Sequence, residues 1–419
     1  MARTSANFST GMTYGNDELV RVQGVSIAAS EDLGIPEFER LLPSYLRELG
    51  YETCLIGKWN VGKSREHYLP NHRGFNTFYG FLDGSIDYYT YDLIETWNGD
   101  IAYGLNLYNN TEPVEDQIGH ITEVFTDKAV HIIQNHNSTY PLYLHLSHAA
   151  PHVGGGMVNL QTPTDTIAAN SHIAHSARRM YAGMVTGLDK SVGRVVAALS
   201  ERGMLQNTII VIVSDNGALT TGALQNFGSN FPLRGVKGTP WEGALRSPAL
   251  IWHPLLPSTT WRGLFHVTDW VPTLLSAAGG SIATHIDGID QWFSLKNGEK
   301  PKRKNALLAL DSLNGWLAFR EGDLKIIIGQ HNHSWDAAAM TVRLAVATVA
   351  CVSGKEHAAR DLRQRVDASR GMPRHLTPRV ASLRSHTVAQ SNSNVSGARI
   401  SALYSQNSGC RSVPLPWVG

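Results

Sequence analysis

The chain has 419 residues, 42% hydrophobic and 17% charged, with a net charge of +1. This composition excludes a disordered or fibrous protein and gives no electrostatic reason to expect a nucleic-acid partner. Three cysteines, Cys54, Cys351 and Cys410, are too few for a disulfide framework. No apolar run reaches the length of a membrane span, and MARTSANFST lacks the apolar core of a signal peptide. Sequons begin at Asn7, Asn109, Asn137, Asn332 and Asn394, a weak hint of secretory origin. The charge is unevenly spread. From Thr341 onward eleven Lys and Arg stand against three Asp and Glu, a net +8, whereas residues 1–340 carry −7. Two compositions therefore meet near residue 340.

In chain order, residues 1–30 show no clear periodicity. A helix is predicted from Pro36 to about Glu48, with Leu41, Leu42, Tyr45 and Leu46 on one face and Pro43 forcing a kink or a later start. Gly50 suits the helix C-terminus, and Tyr51–Ile56 reads as a short strand followed by the loop Gly57–Gly62. Residues 70–115 read as loop-rich and aromatic. A helix is predicted over Thr122–Asn135, with Val124, Ala129, Ile132 and Ile133 inward, and a strand over Pro141–Leu146. His175–Arg202 has the pattern of a long amphipathic helix closed by Gly203, its Met184, Leu188, Val192, Val195 stripe facing a core.

The central stretch is Asn207–Asn216. Ile209 to Val213 are five consecutive β-branched residues, the pattern of a strand buried on both faces of a parallel sheet. Ser214, Asp215, Asn216 and Gly217 stop it. Beyond lie a polar, Gly-rich segment over Phe231–Arg246, a strand at Ala249–Trp252 and a helix over Thr268–Ala278. Residues 316–328 read as a hairpin around Glu321-Gly322-Asp323. The alternation of helices and apolar strands predicts an α/β chain with a mostly parallel sheet.

Lys58, His152, Asp215, Asn216 and Lys237 all fall on loops after predicted strands or in the Gly-rich segment. Ligand sites of open α/β sheets collect at such carboxyl ends. Asp and Asn offer hard oxygen ligands to Ca²⁺ or Mg²⁺. Two lysines, a histidine and a bound cation suit a tetrahedral oxyanion such as sulfate or phosphate. Taken singly, the lysines read as solvated, His152 as a loop or core histidine, and Asp215–Asn216 as an Asx turn. Their joint appearance carries the reading.

These residues sit in segments that resemble the sulfatase family. Pro232–Pro254 (PLRGVKGTPWEGALRSPALIWHP) is close to the pattern PLRGxKxTxWEGGxRxP, and SDNGA (214–218), GYETCLIGKWNVG (50–62) and YLHLSHAAPHVGG (143–155) follow the family's order. HVTDWVPTLLSAAGG, IDGIDQW and WLAFREGDLKIIIG continue it to about residue 335. The likeness is to the arylsulfatase B (N-acetylgalactosamine-4-sulfatase) branch. It implies an alkaline-phosphatase-like fold, a Ca²⁺ ion, hydrolysis of sulfate esters of glycosaminoglycan-like or aryl substrates, and a lysosomal or secreted setting. Carried over by motif, Asp215 and Asn216 would bind metal, and Lys58, His152 and Lys237 would bind sulfate and assist the chemistry.

Three departures accompany the match. Aligning Ser9-Thr10-Gly11 with the family's LTG places Met1 where the cysteine converted to formylglycine belongs, with Arg3, Thr4 and Ser5 at the Pro, Ser and Arg positions. The first strand, with paired Asp metal ligands, would precede residue 1. The motif GKWHLG reads GKWNVG, so Asn60 stands at a histidine position and offers no titrating group near neutrality. The expected organisation is therefore a sulfatase-type domain over 1–315 without its N-terminal strand, a truncated C-terminal subdomain over 316–335, and a basic, disordered tail over 336–419. The chain as written is expected to be inactive, as a partial sequence of a longer enzyme. The alternatives are a pseudoenzyme that binds sulfated glycans, or a phosphatase or phosphodiesterase of the same superfamily. The last would need further Asp/His pairs for zinc.

Overall fold

A computed structural model describes residues 32–329, apart from 98–99, 221, 223, 283–285 and 312–315. The expectations for residues 1–31 and for the tail lie outside the described residues.

Five strands form the main sheet, in the order β6 (Glu112–Pro113), β5 (Tyr108–Asn109), β2 (Thr77–Phe81), β1 (Glu52–Lys58), β7 (Leu142–Ser147). β1 runs parallel to both β2 and β7, and β5 and β6 add antiparallel pieces at one edge. Successive side chains of β1 point to opposite faces. Ile56 joins Phe81, Phe125 and Met184 in a core under α2 (Ile121–Asn135) and α4 (Ser176–Glu201). Leu55 joins Ile35, Trp59, Phe75 and Phe78 on the other face. There α1 (Leu42–Glu48) and α6 (Trp270–Ala277) meet through Leu42, Leu46, Val271 and Leu275. A sheet covered on both faces is what the uninterrupted apolar run of β1 requires.

The helices begin and end close to where the sequence places them. α1 starts later than Pro36, with Pro43 in its first turn, where the missing N–H costs nothing. α4 is capped by His175, whose ring accepts from the Arg178 N–H. Met184 is buried in its stripe. Residues 70–115 hold more order than their aromatic content suggests: β2, the hairpin of β3 (Asp92–Trp97) and β4 (Asp100–Leu105), and the short β5 and β6.

The Ile209–Val213 reading is corrected. β8 covers Ile210–Val213 and pairs antiparallel with β9 (Ala249–Trp252) in a separate two-stranded sheet. Its outer half is exposed, with Val213 51% accessible. A β-branched run reports extended backbone and apolar surroundings, but not which strand lies alongside it. Ile210 still packs with Leu142 and Leu144 of β7 through the cluster around Ile133, Ala198 and Leu199.

The 316–328 hairpin is present as β11 (Trp316–Glu321) and β12 (Leu324–Ile328), extended by β10 (Asn305–Asp311) into a three-stranded antiparallel sheet. It packs on Trp241 and Leu245. Glu242, in the short helix α5 (Glu242–Leu245), holds it with ion pairs to Arg320 at 3.1 Å and Lys325 at 2.7 Å.

Candidate functional site

Lys58 is the last residue of β1, and His152 lies five residues beyond the end of β7, so both leave the same carboxyl edge of the parallel sheet. Gly57 makes the edge tight. It has φ +105°, and a Cβ there would collide with the Ser147 carbonyl of β7. Only glycine tolerates both conditions, which places β1 and β7 side by side directly beneath Lys58. The following loop is pinned by Trp59, whose Nε1 donates to the carbonyls of Gly62 at 2.9 Å and Tyr68 at 3.0 Å. Asn60 adopts φ +48°, a left-handed conformation that Asn accepts more readily than most residues. Its N–H donates to Leu82 O, and its Oδ1 is buried without a partner.

His152 is held from both sides. Its carbonyl accepts from the Tyr88 hydroxyl at 2.8 Å, and its Nδ1 lies 2.9 Å from the Val153 carbonyl. A carbonyl only accepts, so Nδ1 carries the proton and Nε2 keeps its lone pair. Burial brings this imidazole down to about 4, with the positive charges of Lys58 and Lys237 acting in the same direction. His152 is therefore neutral at physiological pH, ready to accept a proton at Nε2.

Asp215 and Asn216 leave the end of β8. Ser214 Oγ donates to Asn216 O, and Asn216 Nδ2 donates to Gly217 O at 2.9 Å. The latter leaves the amide oxygen as the group available to a cation. Lys237 lies in the Gly-rich segment, and its N–H donates to Ala218 O at 3.1 Å. Three segments far apart in sequence thus meet. Burial lowers the Lys58 ammonium to about 8, opposed by the charge of Asp215 and reinforced by that of Lys237. The same three charges act on His152. Two ammonium groups, one carboxylate and a neutral imidazole leave a net positive cluster, suited to an anion.

The structure brings together Lys58, His152, Lys237 and Asp215, with Asn216 on the Asp215 loop. Sequence reading overlooked the amide of Asn230. Its Oδ1 accepts from Ala218 N–H at 2.8 Å, while its Nδ2 donates to Ala218 O at 2.9 Å and to Gly235 O at 3.0 Å. Its partners are backbone atoms, so no side-chain pattern in the sequence announces them. Among the described residues no three or more His, Cys, Asp or Glu side chains cluster in a way that would hold a metal ion. No described helix is long and apolar enough to cross a membrane.

Comparisons with known proteins point to one family. The family model described as Sulfatase matches residues 2–281. The chain is 37% identical over 285 residues to arylsulfatase J of Mus musculus, covering 67% of this chain and 46% of that protein. It is 27% identical over 313 residues to N-acetylgalactosamine-6-sulfatase of Mus musculus, covering 72% of this chain and 57% of that one. It thus spans about half the length of the curated relatives it matches. Among solved structures, the PsFucS1 sulfatase from Pseudoalteromonas sp. superimposes with a TM-score of 0.59 at 26% identity, covering 83% of this chain and 72% of that chain. Sheet, flanking helices and family match together establish the alkaline-phosphatase-like fold, and the chain belongs to the sulfatase family.

Proposed function

We propose that the carboxyl edge of β1 and β7 carries a sulfate-binding site, formed by Lys58, Lys237 and His152, that recognises sulfate esters. The observation that carries this reading is that Lys58 and His152 leave the same carboxyl edge of β1 and β7, with Lys237 joined to the Asp215 loop through Ala218 close enough for its charge to act on both. Two ammonium groups neutralise a sulfate ester's oxygens, and the Nδ1 hydrogen bond of His152 leaves its Nε2 as a fixed hydrogen-bond acceptor beside them. The substrate class follows the relatives. One is named an arylsulfatase and one for an N-acetylgalactosamine sulfate, which supports a sulfate ester of an aryl or amino-sugar substrate. The 4-sulfatase likeness of the motifs is a proposal only, and the relative named for this sugar is a 6-sulfatase.

By itself this set of residues binds without turnover. Covalent catalysis needs an activated nucleophile. Cys54 is buried on β1 and burial raises its thiol above the ordinary value, so the thiolate is disfavoured. Cys351 and Cys410 lack the C-x-P/A-S/T-R context of a formylglycine site. Inorganic sulfate is expected to bind the full chain at pH 7, with affinity falling as pH rises through about 8 and Lys58 loses its proton. Calorimetry on Lys237→Ala and Lys58→Ala is expected to show binding weakened at least tenfold, the loss of one charge-assisted contact. Equal affinity in all three proteins sinks the site. Release of 4-nitrocatechol from its sulfate ester above background, abolished by Lys237→Ala, overturns the binding-only reading.

A Ca²⁺ ion would use Asp215 and Asn216. These two residues do not make a complete shell for a cation that takes six to eight oxygens, and affinity follows ligand and charge count. Calcium titration of the full chain is expected to give no low-micromolar site. A tight site lost in Asp215→Asn would show that other residues complete the shell.

A further inference from the structure

Two loops must be held in register for Lys237 to keep its place beside Lys58 while the Asp215–Asn216 turn stands at a fixed distance from both. Strand pairing does not do this, because both loops lie beyond the ladder of β8 and β9. The stitching runs through Asn230. Its amide satisfies both backbone groups of Ala218, three residues after Asp215, and the carbonyl of Gly235, two residues before Lys237. The Lys237 N–H closes the ring onto the same Ala218 carbonyl. Gly217 fits closely here: a Cβ on it would collide with the Gly243 carbonyl and lie 3.1 Å from Asn230 Oδ1. Asn230 itself is anchored through its neighbours. Arg178 of α4 donates to Phe227 O at 2.7 Å, and Asn226 Oδ1 accepts from Gly228 N–H at 3.0 Å.

We propose that Asn230 is a positioning residue, which joins the Asp215–Asn216 loop to the Lys237 loop and so fixes where Lys237 stands relative to Asp215 and to the bound anion. The proposal rests on the sulfate-site reading for its ligand, and on the three amide bonds for its geometry. Only an amide of this length does all three tasks. An Asp keeps the acceptor for Ala218 N–H but sets a carboxylate against the carbonyls of Ala218 and Gly235. A Ser reaches fewer of the partners and adds no charge.

The test uses the full chain and two readouts. The first is inorganic sulfate binding by calorimetry at pH 7. The second is the titration midpoint of Lys58, followed by NMR of ¹³C-methylated lysines and assigned with Lys58→Arg. Asn230→Asp is expected to weaken sulfate binding by about tenfold or more, since small displacements at a binding centre are costly. It is also expected to move the Lys58 midpoint away from its wild-type value, because Asp215 and Lys237 both contribute to that value. Loss of stability alone would leave the midpoint of the folded protein in place. Asn230→Ser, which adds no charge, is expected to weaken sulfate binding and to move the Lys58 midpoint, and it decides the matter, because the carboxylate introduced by Asn230→Asp also acts on Lys58 and on the anion directly. Wild-type affinity and an unmoved midpoint in Asn230→Ser overturn the proposal, and so does failure of both variants to fold, which would make Asn230 a folding residue. If wild type and Lys237→Ala bind sulfate equally, the sulfate reading fails, while the Lys58 midpoint still reports whether Asn230 positions the loops.

Discussion

Acidification from pH 7 to pH 5 is expected to remove on the order of 5 kcal/mol of folding stability, through histidines that the fold keeps neutral. Burial brings His145, His148, His152 and His266 each down to about 4. Standing positive charge adds to burial at two of them: Lys58 at His152 and Arg303 at His266. In the unfolded chain the same side chains titrate near 6.5. The folded protein thus binds fewer protons than the unfolded one between about 6.5 and 4. Its stability is fully present above 6.5 and is lost as pH falls through that window. Each histidine contributes about 1–2 kcal/mol of the loss between pH 7 and 5. Urea denaturation at the two pH values measures it, and proton uptake on unfolding, read by calorimetry in buffers of different ionisation enthalpy, checks the mechanism. Equal or greater stability at pH 5 would remove the account.

Asp269→Ala is expected to cost about 3–5 kcal/mol, the scale for breaking a buried ion pair from one side. Asp269 is fully buried and accepts from Arg303 Nε at 2.8 Å, from His266 N–H at 2.9 Å and from Ile289 N–H at 2.7 Å. The carboxylate closes the capping box before α6 and ties the 286–303 segment to that helix. Removing it leaves the Arg303 guanidinium with no carboxylate partner in a largely buried position. Arg303→Met leaves Asp269 its two backbone donors, so the expected loss is smaller than for Asp269→Ala. Chemical denaturation of the two variants tests the order. A cost below about 1 kcal/mol for Asp269→Ala would mean that water replaces the lost contacts.

Much of the candidate site was legible because its chemistry resides in side chains placed at strand ends. Lys58 follows β1, Asp215 follows β8, and His152 and Lys237 sit in loops whose Gly and Pro residues mark them as irregular. Helix limits were also readable, since α2 and α4 carry long apolar stripes and α4 is closed by a glycine. The pairing of strands was less readable. The β8 run gave no sign of its antiparallel partner, and the short strands between Thr77 and Pro113 were hidden in a segment rich in aromatics and turns.

Sequence by itself determined the main helices, the family and a set of candidate residues for meeting an oxyanion. The helices follow from local periodicity, the family from the resemblance of its motifs, and the candidate residues from the identity of a few polar side chains. Only the tertiary structure decided that β8 joins β9 in its own ladder, that Lys58, Lys237 and Asp215 act together on His152, and that Asn230 stitches two loops through backbone atoms. The physical reason is common to these features. Each depends on which segments pack together, and burial, ladder pairing and side-chain-to-backbone bonds across long sequence separations exist only after that packing has occurred.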